Sequence, residues 1–397
     1  MFEDAYIPYG GYYSSPFCRW QGPLAGVHSI PLAGATVKRW LAAKGYDTLA
    51  FDYVNFGSTI PQPHSFYSAT WLAALTGNDR TSGVWISQAC STSTTCVTQA
   101  ALQVEAGMAE TVLNIGADRM SNGPHTIWPS TSGMGGFVDR EDWIVDNFNT
   151  DPWAGEKMVV TADIVARDAG ITRAELDELA LVRYEQYLMS LADDRAFQRR
   201  YLFALEVPHG RKGTLVVDAD EGITPSTAEG LAGLRPVEPD GLHSFGAQTH
   251  PADGNMALIV ATRDRAREMA GAGAPEVRIV SYGYARAPKA RMAMAPVPAA
   301  RMALEKAGLQ PADIAVWKTH NPFAVNDVYM ARQLGIDLTR GFNDYGSSLV
   351  YGHPQGPTMG RAIIEGIEQL VLQGGGYGCM TGCAAGDTGA ALIVRVG

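Results

Sequence analysis

Four short segments of this chain carry side chains suited to nucleophilic and proton-transfer chemistry. In ISQACSTSTTC, Cys90 follows a strand-like run, Val84–Ala89, and precedes a helix-like run, Ser91–Gly107. At such a corner a thiolate faces unpaired backbone N–H groups and the positive end of the helix dipole, which lower its pKa. Free cysteine is also among the most buried residue types, and on position alone packing is the commoner role. Cys96, further along the same helix, reads as core. In YGHPQGPTMGRA, His353 lies between a glycine and a proline, a stiff setting that suits a positioned base. Cys383 lies in GGGYGCMTGCAAGDTG, where glycine density points to backbone brought close to a ligand. In KTHNPFAVND, His320 and Asn321 end a strand, a usual site position in open α/β sheets. Asn321 before Pro322 also reads as a helix N-cap followed by a proline at the first helical position.

Several other chemistries are disfavoured. The glycine-rich stretch lacks the Gly-Lys-Ser/Thr of a phosphate loop, and a strand rather than a helix follows it. Cys90 and Cys96 are six apart, Cys379 and Cys383 four apart, neither a good zinc-ribbon spacing, so no structural metal is expected. No Gly-x-Ser-x-Gly elbow is present. The net charge of −10 disfavours nucleic acid, which needs a cationic surface. Five cysteines, an odd number in a chain of 397 residues, read as free thiols rather than a disulfide framework. The start, MFEDAYIPYGGYY, has no apolar targeting region, and no run approaches the roughly 18 apolar residues of a membrane span. A cytoplasmic protein, off the membrane, is expected.

The elements that must position these residues alternate in type. Pro31–Gly45 reads as an amphipathic helix with a glycine stop, and Thr48–Val54 and Ala109–Ala117 as strands. The Ser/Thr-rich start of the helix after Cys90 makes sense if that helix is buried and packs closely. From Asp118 to about His243 the chain is rich in charge, Trp, Pro and Gly, with one long helix, Thr172–Phe197, that Thr172 and Glu175 can cap. Alternation then returns. Asn255–Thr262, Val277–Tyr284, Asp313–Lys318 and Ala391–Val396 read as strands; Pro298–Ala307, Ala324–Leu334 and Thr358–Gln373 read as helices. Two alternating outer thirds around an irregular middle imply an α/β fold with a large inserted loop region.

These segments together resemble the thiolase superfamily, over nearly the whole chain. ISQACSTSTTC looks like its nucleophile block, HNPFA like the block usually written Asn-Glu-Ala-Phe-Ala, GHPQGPTMGRA like Gly-His-Pro-x-Gly-x-x-Gly-x-Arg, and CAAGDTGAALIV like the second-cysteine block. GADRMSNGPH, EKMVVTADIVARDAGITRAELDELAL and TPSTAEGLAGLRP support the likeness. The resemblance implies a five-layer αβαβα fold of two similar halves: residues 1–118 with 244–264 as the N-terminal half, 119–243 as a loop domain over a coenzyme A site, and 265–397 as the C-terminal half.

It also implies a chemistry. Cys90 takes an acyl group from a CoA thioester after His353 removes its proton, and Cys383 moves the proton on or off the α-carbon. The backbone N–H groups of Cys90 and Ala385 hold one oxyanion; His353 and the side chain at His320, with Asn321 beside it, serve the other. Lys157 and Thr249 stand where pantetheine is usually touched. No cofactor is permanently bound; coenzyme A is a substrate. Homodimers or tetramers are implied, with a small OB-fold or zinc-ribbon protein as a further partner, as in the benzoylsuccinyl-CoA thiolase branch. His320 stands where many members have Asn (the sterol-carrier-thiolase branch also has His), Asn321 where they have Glu, Pro322 and Ala385 where they have Ala and Gly, and Ser91-Thr92-Ser93 where Gly-Ser-Gly is common. Such changes, with the aromatic N-terminus, point to a bulky or aromatic 3-oxoacyl-CoA, cleaved or condensed. A biosynthetic C-acyltransferase subunit and a non-catalytic scaffold of the same fold are the competing readings.

Overall fold

The computed structural model describes residues 1–130 and 138–397; residues 131–137, within the expected loop domain, lie outside the described part. Nine strands form the path of the main sheet: β1 (Tyr6–Ile7), β2 (Tyr53–Gly57), β3 (Ser82–Ile86), β4 (Thr111–Arg119), β5 (Ala252–Ala261), β6 (Val277–Arg286), β7 (Ile314–His320), β8 (Gly376–Ala384) and β9 (Thr388–Val396). Their order is β7-β8-β9-β6-β1-β5-β4-β2-β3, and Tyr12–Ser14 and Cys18–Arg19 add short pairings on β5. The pairs β2/β3, β2/β4 and β7/β8 are parallel; β4/β5, β6/β9 and β8/β9 are antiparallel. Two-residue β1 is antiparallel to both β5 and β6, and so bridges the N- and C-terminal half-sheets.

The helices that matter here are α1 (Ser29–Lys44), α2 (Ser68–Thr76), α3 (Thr92–Glu105), α4 (Met158–Asp168), α5 (Arg173–Ser190), α6 (Pro296–Ala307), α7 (Ala324–Leu334) and α8 (Thr358–Leu372). One apolar cluster joins Val97 and Ala100 of α3 and Ile363 and Ile367 of α8 to Leu258 of β5 and Leu392 of β9, so these two helices lie between the half-sheets. A second packs α1 and α2 on the outside of the N-terminal half, and a third packs α6 and α7 on the outside of the C-terminal half. The layering is therefore αβαβα, as expected. Each fully buried Leu, Ile or Val contributes roughly 1.5–3 kcal/mol, and the inner layer is covered by a half-sheet on both sides.

The buried, closely packed helix expected after Cys90 is α3. Thr92, Ser93, Thr94, Cys96 and Val97 are all buried. A Cβ at Gly57 of β2 would lie 2.9 Å from both Cys96 Sγ and Thr92 Cγ2. The small residues at both positions are thus what lets α3 approach β2.

Some elements differ from their sequence reading. Thr48–Ala50 is a 3-10 turn, and strand structure begins only at Tyr53. The long helix has the expected capping box at Thr172 and Glu175 but ends at Ser190, where Asp193, Asp194 and Arg195 take left-handed φ values of 50°, 56° and 62°. Much of the glycine-dense stretch is strand β8, where Gly382 also serves close packing: a Cβ there would lie 2.9 Å from His320 Cβ and 2.9 Å from Met359 Sδ. Asn321 is not the N-cap: α7 begins at Ala324, with the extended Phe323 as its cap residue, and Asn326 accepts from the Phe323 N–H at 3.3 Å. The N-terminal aromatics are core residues. Tyr13 packs on Trp40, Phe17 on Tyr351, and the Tyr12 hydroxyl donates to Glu368 at 2.6 Å.

The middle region is fastened to the C-terminal half by a fully buried ion pair, Arg183 of α5 to Asp327 of α7, at 2.8 Å. Asp327 also accepts from Thr319, Asn321 and Asn343. Removing either charge would leave the other buried and unpaired, at a cost of about 3–5 kcal/mol.

Candidate active site

The tight turn before α3 presents Cys90. Ala89 sits at φ 45°, a left-handed value costly for a residue with a side chain. Thr92 Oγ1 stabilises that turn by accepting from Gln88 N at 2.9 Å and donating to Ala89 O at 2.7 Å. The N–H groups of Cys90 and Ala385 both act on the sulfur. They do not lower its pKa below the ordinary range as the corner position predicts. Burial outweighs them and pushes the Cys90 thiol up to about 12.

His353 arrives on the segment between α7 and α8, just after a short helical turn, Ser348–Tyr351. Its backbone N–H donates to His250 O at 2.9 Å, and its Nδ1 is 2.6 Å from Thr358 Oγ1 at the start of α8. The turn beyond it is clamped twice: Gly356 N donates to Asp118 Oδ2 at 2.8 Å, and Ser93 Oγ donates to Gly356 O. Asp118, at the end of β4, also accepts from Ser58 Oγ and from Thr59 N and Ile60 N. One buried carboxylate therefore ties the N-terminal half to the His353 loop. Its burial, only partly offset by these donors, raises its pKa to about 6.

The end of β7 supplies His320, whose Nδ1 is 2.8 Å from Ser348 Oγ. With both Nδ1 atoms engaged, Nε2 of His320 and of His353 have no partner, and each is buried. One ligating atom each of Cys90, His320 and His353 lie within 4.8 Å of one another. The two imidazoles stack, centroids 3.9 Å apart and planes 28° apart. Burial, the largest cause for each, lowers His353 to about 3 and His320 well below the usual range, so both rings are neutral at physiological pH.

This Cys/His/His set is the one group among the described residues with metal-ligand character. The two ring nitrogens, each with or without its hydrogen, can equally present N–H groups to an oxygen that enters beside Cys90.

Cys383, near the end of β8, receives Asn326 Nδ2 at 3.3 Å, and burial, then the nearby Cys90, hold its thiol well above the usual range. The structure thus brings Cys90, His353, Cys383 and His320 to one place, with the Ala385 N–H at the sulfur. Asn321 stands one row back: its Nδ2 donates to Asp327 at 2.6 Å and its Oδ1 accepts from Leu349 N at 3.1 Å. Thr249 lies behind His320, its hydroxyl on the Ser348 carbonyl. Lys157 is not brought to the cysteines; its ammonium pairs with Glu238 at 2.8 Å on the surface.

Sequence reasoning gave no role to Gln355, Asn326 or Asp118. Gln355 Oε1 lies 3.3 Å from Cys90 Sγ. Gln355 and Asn326 sat inside quoted motifs, two residues after His353 and six after His320, and uncharged amides in such company were the available signal.

Comparisons with known proteins bear on the family of the chain. The family model described as thiolase, N-terminal domain, matches residues 12–264, and that described as thiolase, C-terminal domain, matches residues 274–396. A beta-ketoadipyl-CoA thiolase of Pseudomonas knackmussii is 30% identical over 393 residues, 96% of either chain. The crystal structure of the Bacillus anthracis acetyl-CoA acetyltransferase superposes with a TM-score of 0.90 at 25% identity, covering 100% of this chain and 99% of that one. That of human mitochondrial 3-ketoacyl-CoA thiolase in complex with CoA gives 0.90 at 25% identity, covering 99% and 98%.

Proposed function

The chain belongs to the thiolase family, and from that premise we propose that it is an acyl-CoA acyltransferase that carries its acyl group on Cys90. The observation that supports this most is the convergence of one buried thiol on two neutral imidazoles with free Nε2 atoms, beside a second buried thiol.

A thiol at about 12 beside an imidazole at about 3 keeps its proton at neutral pH. Proton transfer to His353 therefore accompanies carbonyl attack rather than preceding it. The sulfur adds to the thioester carbonyl, the oxyanion meets the N–H groups of Cys90 and Ala385, and the C–S bond to CoA breaks as His353 returns the proton. In the carbon–carbon step Cys383 takes or gives the α-proton, and His320 holds the enolate oxygen through its Nε2–H, joined by His353 in the neutral tautomer whose hydrogen is on Nε2 and whose Nδ1 accepts from Thr358 Oγ1. A stacked pair of imidazoles replaces the amide that many members have at position 320, with Ser348 orienting the ring at that position. Coenzyme A is the leaving group and second substrate. Thr249 and Lys157 remain the positions proposed to meet pantetheine.

The substrate proposed is a 3-oxoacyl-CoA with a bulky or aromatic acyl group, cleaved by CoA or made by the reverse condensation. The support is local: His320, Pro322, Ala385 and Ser91-Thr92-Ser93 depart from the residues common in the family, within the segments that carry Cys90, His320 and Cys383. The buried N-terminal aromatics do not add to it. A homodimer is proposed as well. Strand β3 is the sheet edge, and it exposes Val84 and Trp85 where a second copy could extend the sheet.

The test is thiolysis of a panel of 3-oxoacyl-CoAs of increasing acyl bulk. Cleavage of bulky members in preference to acetoacetyl-CoA supports the full proposal. Acylation without thiolysis of any member favours a biosynthetic C-acyltransferase subunit, and neither reaction favours a scaffold.

A further inference from the structure

Gln355 occupies the variable position of the Gly-His-Pro-x-Gly motif, and its placement is over-determined. Its own φ is 62°, a left-handed value that a glutamine adopts only under constraint. The constraint is the double clamp on the next residue: Gly356 N on Asp118, and Gly356 O under Ser93 Oγ. Thr358 N closes the turn by donating to Gln355 O at 3.2 Å. Residues from three elements (the end of β4, α3 and the start of α8) thus hold a strained backbone whose side chain runs inward. Gln355 is 5% exposed, and its Oε1 is the hydrogen-bond acceptor of the Cys90 thiol at 3.3 Å. The thiol therefore points its hydrogen at the carboxamide in the resting molecule, and the same carboxamide also lies beside the His353 imidazole, whose pKa it raises against the larger, lowering effect of burial.

We propose that Gln355 is a positioning residue for the nucleophile, its carboxamide oxygen accepting the Cys90 S–H so that the proton stays on sulfur until a thioester enters. The inference rests on Cys90 being the acylated residue. When the thioester carbonyl reaches the sulfur, the S–H···Oε1 bond breaks and the proton passes to His353 Nε2. The sulfur's electron pair forms the new S–C bond, and the CoA sulfur leaves with the electrons of the old one and takes the proton from His353. In the empty enzyme the same hydrogen bond keeps the thiolate fraction low, and with it side reactions with oxidants and stray electrophiles.

The experiment is alkylation of Cys90 by iodoacetamide, followed as a function of pH and located by peptide mass mapping. It needs only thiolate, not acyl transfer. Gln355→Leu keeps the volume and removes the acceptor, and Gln355→Met does the same with a more adaptable chain. Losing a neutral hydrogen bond to the protonated form should raise the alkylation rate near neutral pH about fivefold and move the profile to lower pH. Gln355→Glu sets a carboxylate against a nascent thiolate and should slow alkylation by at least as much. A merely structural role would change melting but not the pH profile. Unchanged or slower alkylation in the Leu or Met variant that keeps the wild-type melting transition overturns the proposal, as does faster alkylation in Gln355→Glu. If wild-type Cys90 accepts no acyl group from any acyl-CoA, the nucleophile reading fails instead, whatever the alkylation rates.

Discussion

Adding one methyl group at position 57 should displace the nucleophile without touching it. An alanine Cβ there would stand 2.9 Å from Cys96 Sγ and 2.9 Å from Thr92 Cγ2, against an ordinary contact of about 3.5–4.0 Å. Both atoms belong to α3, and neither is the far end of a long side chain that could swing aside. Relief therefore requires α3 to retreat from β2 by about 0.5–1 Å. Overpacking of that order costs about 1–3 kcal/mol. Because Cys90 sits at the head of the helix, the same shift should slow acylation by about ten- to a hundredfold. Urea unfolding reads the first quantity, and single-turnover acylation by acetyl-CoA the second. Two further changes isolate the cause. Thr92→Ser removes the offending methyl but keeps the hydroxyl that binds Gln88 N and Ala89 O, and Cys96→Ala removes the sulfur. Combined with Gly57→Ala, they should return most of the lost stability and rate. The reasoning is refuted if Gly57→Ala acylates at the wild-type rate, or if the three changes simply add their separate losses.

Other expectations can be checked with the same assays. Cys383→Ala should still acylate at Cys90 yet lose carbon–carbon bond cleavage by at least about 10²-fold; normal thiolysis would remove Cys383 from the mechanism. Burial holds His353 near 3, so the acylation rate should show no histidine limb between pH 5 and 8, and His353→Ala should lower it by about 10²–10⁴-fold across that range. Asp118 has a folded pKa raised to about 6, so its contribution to stability is present in full below about pH 4 and is lost as pH rises through 6. The span is about 3 kcal/mol. In Asp118→Asn this part of the pH slope of urea unfolding should vanish; an unaltered slope would show that Asp118 is ionised without penalty.

Much of this was legible in the sequence because it rests on local signals. The capping box at Thr172 and Glu175 fixed one helix start, and the small residues after Cys90 announced a tightly packed helix. Cys90, His353, Cys383 and His320 could be named because each sits in a short motif at the end of an element. What escaped notice depends on contacts far apart in the chain. Asp118 reaches Gly356 across 238 residues, and Gln355 reaches Cys90 across 265. The pKa of Cys90 was misjudged for a related reason. The helix corner is visible in the sequence, but the depth of burial that overrides it is a property of the assembled layers. Asn321 was read as a cap because Asn-Pro commonly opens helices, whereas here Asp327 and Leu349 engage its side chain and the helix waits for Ala324.

The central claim is that Cys90 carries the acyl group. Intact-mass measurement after mixing the protein with individual acyl-CoAs tests it directly. The account predicts a single adduct of the acyl mass that peptide mapping places on Cys90, absent in Cys90→Ser and retained in Cys383→Ala. An adduct that persists in Cys90→Ser, or none with any acyl-CoA, would contradict it.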